Sequence, residues 1–483
     1  MAGPDNPRPQ VPADLWTSIA EAFSQRPPPA PRQDCPCPKF EARIVGVRFL
    51  SPVRVARRGA AISGEHWTEG VDVNEPNIAD GSTKAAVVRI AGRGEPGVRL
   101  RIRVTRSVDV GPTGPVTGTL GGLAFAAPVQ CPTSVGEHVV DARIVLLHPH
   151  IARDAGDASW QIEVDPLGKV SLGTTRLEVV TVLDNPVRCF AGGVWIEVLR
   201  LLLARAGVAG LDTRRAAAAA VARFGHTGLA LTYDTVGGAP AFNSGTHGAN
   251  GYLLARLISP IRGKVVNCYD MAAGVSAMAG SLGVNLGWKY MDPFGFLAPS
   301  SLIGVGQCNN PFFRGQAFVN GARVPAWPTP MAPPNEPRRT SFGNHAFTSF
   351  SPLGNANLSG TDPGPAEEAI GDACAGPATF DVTLAQYVLR SVDQNRPYTQ
   401  ARANALAQFA AINQWEQQQL AAVAALPTPP ATDEQKRQMT ATVRAMAEQA
   451  REQARAQLAA TETAAVQEGV GVNSVQFTAY SGP

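Results

Sequence analysis

The sequence predicts a multidomain protein: an N-terminal β-sandwich, a mixed domain of helices and strands, and a C-terminal α-helical hairpin. Three observations carry this. The chain has 483 residues, more than a single hydrophobic core organises, which points to about two to four domains. Between residues 41 and 188 apolar side chains recur at every second position. From residue 399 the chain turns rich in Ala, Gln, Glu and Arg, with apolar residues at helical spacing.

Residues 1–40 read as a proline-rich leader or linker, densest in "RPPPAPRQDCPCPKF". Cys35 and Cys37 form a C-P-C-P pair there. Zinc wants a second Cys or His pair at matching spacing and none is nearby, so no metal is expected. Residues 41–188 are assigned to the β-sandwich. In "VRLRIRV" Val98, Leu100, Ile102 and Val104 alternate with Arg99, Arg101 and Arg103, which puts one face in a core and the other in water. "EARIVGVRFL", "AAVVRI", "HVVDARIVLL", "SWQIEVDPLGKVSL" and "RLEVVTVL" read as further strands divided by Gly, Pro and Asp turns, a spacing that suits an antiparallel sandwich. The arginine face reads as a solvated sheet surface in preference to a nucleic-acid surface.

Residues 189–397 form the mixed domain. "GGVWIEVLRLLLARAGV" carries Val194, Ile196, Val198, Leu199 and Leu202 at helical spacing, and "TRRAAAAAVARFG" is a second helix with Thr213 as N-cap. "LALTYDTVGGAPAF" reads as strand, Gly-Gly turn, strand. In "GKVVNCYDMAAGVSAMAGSLGV" a short strand ends at Asn267-Cys268 and a helix of small residues follows. The Gly-, Pro- and Asn-rich region 291–342 reads as loops of the kind that line clefts.

Residues 398–470 are the hairpin, with helices at 399–425 and 433–468 joined by "LPTPPATDE", and with Thr432 and Gln435 as a capping box. Met439, Val443, Met446, Ala450 and Leu458 are expected on one thin apolar face. Such a face docks on its own domain, on a copy of itself or on a partner helix, and docking in cis is the default expectation. Residues 471–483 are a tail.

Composition narrows the class. Hydrophobic residues make up 44% and charged residues 17%, as in soluble globular proteins, and a net charge of +3 over this length calls for neither nucleic acid nor an anionic membrane. "MAGPDNPRPQVPADLW" lacks the basic start and apolar core of a secretory signal, and no run of about 18 apolar residues occurs. A cytoplasmic protein is expected; export by a signal-independent machine leaves no trace in a sequence. Seven thinly spread cysteines fit a reducing compartment, and no bond is expected between Cys131 and Cys189. Abundant Ala and Arg over Ile and Lys suggest a GC-rich, bacterial genome. "AGRGEPG" has no following helix or Lys-Ser/Thr, so phosphate binding is not supported.

A cysteine at the first turn of an apolar helix raises the question of chemistry. A nucleophilic thiol needs a setting that favours thiolate, a base, and donors for the oxyanion, and a helix N-terminus supplies the first. Of the seven histidines, His66, His138, His148 and His150 lie in the β-rich region, and His226 and His247 precede the cysteine. His345, at the start of the strand in "SFGNHAFTSFSPLG", has a fixed backbone and a ring able to face a neighbour. The orienting carboxylates in reach rank Asp372, at a strand edge in "EEAIGDACAGPATFD", then Asp381, a natural helix N-cap, then Asp362. Asp270 reads as structural, stabilised in a first helical turn. Cys374 lacks a helix start, and Cys308 is loop-borne and structural. The Cys268 N–H is the first oxyanion donor, with Tyr252 and Asn250 as candidates for the second.

These motifs resemble the transglutaminase-like superfamily. "NCYDMAAGVSAMAGSLGV" is similar to its nucleophile helix, "NHAFTSF" to its histidine-first strand, and "GDACAGP" to the strand and turn bearing its aspartate, over about residues 191–395. The order Cys, His, Asp agrees; Phe347 stands where tryptophan is usual and Asn267 where glycine is common. The resemblance implies a papain-like α+β domain in which Cys268, His345 and Asp372 are nucleophile, base and orienter. It implies cysteine-dependent acyl transfer on a carboxamide or peptide bond of a protein or peptide substrate, as protease, amidase or transglutaminase, with no cofactor. The rival expectations are a non-catalytic binding or assembly protein that keeps the fold, and a secreted bacterial effector.

Overall fold

A computed structural model describes residues 38–476 except 51–52, 58–59, 63, 72–83, 91–95, 244–250, 262, 321, 352–366, 377, 397–398, 428–430, 463–465 and 470. The leader with Cys35 and Cys37, and also His247, Asn250 and Asp362, lie outside the described residues. The fold is mixed α/β with two hydrophobic cores and a separate pair of long helices.

The first core belongs to one large sheet. Its strands are β1 (Lys39–Leu50), β2 (Trp67–Thr68), β3 (Ala86–Arg89), β4 (Gly97–Val108), β5 (Thr113–Leu120), β6 (Leu123–Gln130), β7 (Gly136–Leu146), β8 (Ala152–Val164) and β9 (Gly168–Val182), in the order β2-β1-β4-β7-β6-β5-β8-β9-β3. All neighbours are antiparallel except β9 and β3. Two facing sheets were expected. The sheet instead runs continuously and curls until β1 packs against β9, because long twisted strands carry one buried face around on itself. Val98, Leu100, Ile102 and Val104 are buried as their alternation requires. The arginines between them pair across strands: Arg99 with Asp141 at 2.8 Å, Arg101 with Glu65 at 2.6 Å, and Arg103 with Glu137. This face is a solvated lattice of ion pairs.

The second core holds α1 (Ile196–Arg205), α2 (Arg214–Arg223), β10 (Leu231–Tyr233), α3 (Leu254–Ile258), β11 (Lys264–Val266), α4 (Cys268–Ser281), β12 (Gly287–Met291), β13 (His345–Phe350), β14 (Ala369–Asp372), β15 (Ala378–Thr383) and α5 (Leu384–Ser391). Thr213 caps α2 by accepting the Ala216 N–H at 3.2 Å. Cys131 and Cys189 are free thiols in different cores. Buried Glu178 on β9 accepts Arg153 at 2.7 Å and Arg200 of α1 at 3.1 Å, joining the curled sheet to the helices.

The hairpin helices are α6 (Thr399–Ala424) and α7 (Asp433–Glu462), and Thr432 with Gln435 forms the expected capping box. The second helix ends at Glu462, short of 468. The chain then returns as β16 (Val466–Glu468) and adds an edge strand to the antiparallel sheet β15-β14-β13-β12-β16, since an open β12 edge would leave a row of backbone groups unpaired. Further on, Gln476 N–H donates to the Tyr252 carbonyl at 2.8 Å. Among the described residues the extended contact of the hairpin helices is with each other. No described helix is long and apolar enough to cross a membrane.

Candidate active site

Every residue of α4 is buried, so the helix is the axis of the second core. Its start is tightly specified. Asn267, with extended backbone, accepts the Asp270 N–H at 2.9 Å, and Asp270 Oδ2 accepts the Asn267 N–H at 3.2 Å, a reciprocal capping box. The Cys268 N–H, one residue into the helix, has no acceptor within it. Gly283, at φ +82°, ends the helix where a Cβ would stand 2.5 Å from the Asp184 backbone.

Asp270 has a second task. Its carboxylate also accepts the N–H groups of Ala241 at 2.8 Å and Phe242 at 2.9 Å, while Asn267 Nδ2 donates to the Gly238 carbonyl at 2.8 Å. The segment after Tyr233 is therefore a loop tied to the helix start, and the hairpin reading of "LALTYDTVGGAPAF" is corrected: β10 pairs in parallel with β11 instead. The turn is held by Asp234, which accepts Val236 N–H at 3.0 Å and Ala239 N–H at 2.9 Å. Burial pushes the Asp270 carboxyl up, against the pull of these N–H groups. Tyr252 donates to the Asp270 carbonyl at 2.8 Å in the core, so it braces the helix and is not free as an oxyanion donor.

His345 opens β13, directly opposite Met291 on β12, and Asp372 ends β14 on the other side. His345 Nε2 stands 2.9 Å from Asp372 Oδ2. The same oxygen accepts the Tyr387 hydroxyl at 2.8 Å, and Oδ1 accepts the N–H groups of Cys374 at 2.7 Å and Ala375 at 3.2 Å. Cys268 is the other polar neighbour of the imidazole. It lies beside a ring whose Nδ1 forms no complete hydrogen bond. Burial opposes charge on His345, but the Asp372 carboxylate and its hydrogen bond, helped by Cys268, outweigh it and raise the imidazole to about 10. Burial likewise opposes the Asp372 charge, yet His345 and the other donors hold its carboxyl below the usual range.

The structure thus brings Cys268, His345 and Asp372 together. Asp381 contacts its own strand, accepting the Thr379 N–H at 3.0 Å, and the N-cap expected of it belongs to Thr383. His226 is held by the Ala373 carbonyl at 3.1 Å, and His66 and His148 bond within the curled sheet. Burial raises Cys374 well above the usual thiol range, with the Asp372 charge adding to it, and raises Cys308 to about 11, so both stay protonated.

Sequence reasoning missed four side chains. Tyr387 lies on α5, and the "TLAQ" capping box places that helix but not its hydroxyl. Phe342 stacks on His345 at 4.9 Å and 21°, with Phe294 at the same centroid distance. Tyr233, its hydroxyl kept neutral by burial, lies within electrostatic range of Cys268. Among the described residues no cluster of His, Cys, Asp and Glu is arranged to hold a metal.

No family model and no curated protein matches this chain. Among solved structures, the crystal structure of red sea bream transglutaminase is similar to it at 9% identity and a TM-score of 0.33. That alignment covers 60% of this chain, which spans about half the length (49%) of the transglutaminase chain.

Proposed function

We propose that this protein carries out cysteine-dependent acyl transfer on a carboxamide or peptide bond through a thioester. The observation that carries the reading is the buried Asp372–His345 pair, 2.9 Å apart, beside a cysteine at a helix start. The sulfur, its proton held on His345, attacks the carbonyl carbon and a C–S bond forms. The oxyanion is received by the Cys268 N–H, with the neutral Tyr233 phenol as second donor. The C–N bond then breaks as His345 passes the proton to the leaving nitrogen. Water or an amine next attacks the thioester carbon and His345 takes its proton; the C–S bond breaks, the proton returns to sulfur, and the thiol is restored. Asp372 keeps the ring orientated and its charge balanced; Tyr387 and two N–H groups fix Asp372.

The test is thiol reactivity against pH, with iodoacetamide and intact-mass detection, on wild type, Cys268→Ala and His345→Ala. One fast site, absent from Cys268→Ala and slowed at neutral pH in His345→Ala, supports the reading. A binding protein that retains the fold is the second reading, favoured by the 3% exposure of Cys268. Slow labelling shared by several cysteines and unmoved by either substitution selects it.

A further inference from the structure

The long hairpin carries an asymmetry that its own packing does not use. Along α7 the least exposed described positions are Lys436, Thr440, Val443, Ala447, Ala450 and Ala454, with Arg451 beside them; the first six have a 4-3-4-3-4 spacing that defines a coiled-coil seam. Along α6 Phe409, Ile412, Glu416, Val423 and Leu426 continue it antiparallel, with Leu420 half-buried beside them at an e position. Arg451 reaches both Asn413, at 2.9 Å, and Glu416, which fixes the pairing and places Arg451 and Asn413 at flanking e positions. With the seam at a and d, the three large apolar side chains exposed on the hairpin all fall at g: Trp415, Met439 and Met446. In an antiparallel pair the g positions of both helices share one side. Every c and g position from Gln408 to Ala425 and from Gln435 to Ala456 is exposed and uncharged. The charged residues of α7 beyond its first turn, such as Arg437, Arg444 and Glu448, fall on the other positions.

We infer that this uncharged c/g face is where a second copy of the chain docks, giving a four-helix bundle. Two features select that occupant. The helices have 26 and 30 residues, so the face is about 40 Å long and about 20 Å across, close to the roughly 800 Å² per partner of a stable interface. An uncharged face offers nothing to steer or pair with a charged partner, whereas a two-fold axis sets like residues against like without needing complementary charge. The two helices alone bury few side chains, among them Val423, Ala447 and Ala454, and a further pair supplies the missing core.

Sedimentation velocity on the full chain tests this, comparing wild type with Met446→Glu, Trp415→Gln and Ala441→Glu, the last placing a glutamate at an exposed b position. The expected result is a wild-type dimer at micromolar concentration, association weakened at least about tenfold by Met446→Glu and by Trp415→Gln, and an unchanged dimer in Ala441→Glu. Circular dichroism confirms that helix content is retained in each. A wild-type monomer at all concentrations overturns the inference, as does a dimer indifferent to the c/g variants or equally sensitive to Ala441→Glu.

Discussion

In Asp372→Asn the side chain keeps its shape and loses its charge. Oδ1 faces the N–H groups of Cys374 and Ala375, so the amide oxygen must stay on that side. The amide NH₂ then faces His345 Nε2 and the Tyr387 hydroxyl, where the carboxylate had accepted from both. A donor opposite Nε2 makes that nitrogen the acceptor and sends the ring proton to Nδ1, beside the thiol. With the carboxylate charge gone, burial acts on the imidazolium against the help of Cys268 alone, and its protonated fraction at pH 7 falls. Two charge-assisted hydrogen bonds also become ordinary ones, costing about 2–3 kcal/mol of stability. The assay is iodoacetamide labelling of Cys268 across pH 6–9 by intact mass, with chemical denaturation in parallel. Labelling at pH 7 is expected to slow at least about tenfold and to take the pH profile of an ordinary thiol. A variant that loses stability but labels at the wild-type rate and profile would reduce Asp372 to a structural role.

The same pair sets a pH window for stability. His345 is raised in the folded state, so its contribution is complete below about pH 6.5 and is lost as pH climbs through about 10. Asp372 is lowered, so its contribution is present above about pH 3.9 and is lost on acidification through its folded value. Denaturation of wild type against His345→Ala should show a difference that shrinks as pH rises from 6.5 to 10. Asp270→Ala takes away the acceptor of three backbone N–H groups, the helix-capping Asn267 among them, and should cost about 3–5 kcal/mol by urea unfolding, with faster amide exchange across 234–243. Glu178→Ala takes away the buried carboxylate shared by Arg153 and Arg200 and should cost about 2–3 kcal/mol, read as a lower thermal midpoint.

The parts that were legible are those whose signal is local. Cys268 follows a short apolar strand and begins a run of small helix formers. His345 and Asp372 each sit where an apolar run meets a polar turn, so their backbone positions are readable, and family resemblance joined them. The period-two stretch at Val98 to Val104 dictated its strand and its buried face. Partners fixed by distant pairing were not legible. "LTY" carries a strand pattern but no mark that its neighbour is Lys264–Val266, and a following Gly-Gly invites a hairpin. "TGPVTGTL" and "LAFAAPVQ" form β5 and β6 although Gly, Pro and Ala mask their periodicity. Met439 and Met446 share a helical face with Val443 to within a half-turn, and only the seam measured against α6 separates them.

The return of the chain at β16 has a consequence for how this protein is made. Met291 is paired to Val466, and Tyr252, which braces the helix of Cys268, is bracketed by Ser474 and Gln476. A ribosome therefore delivers the whole hairpin before the sheet beside the cysteine receives its outermost strand. Until then, the region around the thiol is an unfinished structure with one side open, and its maturation waits on residues synthesised long after Cys268, His345 and Asp372.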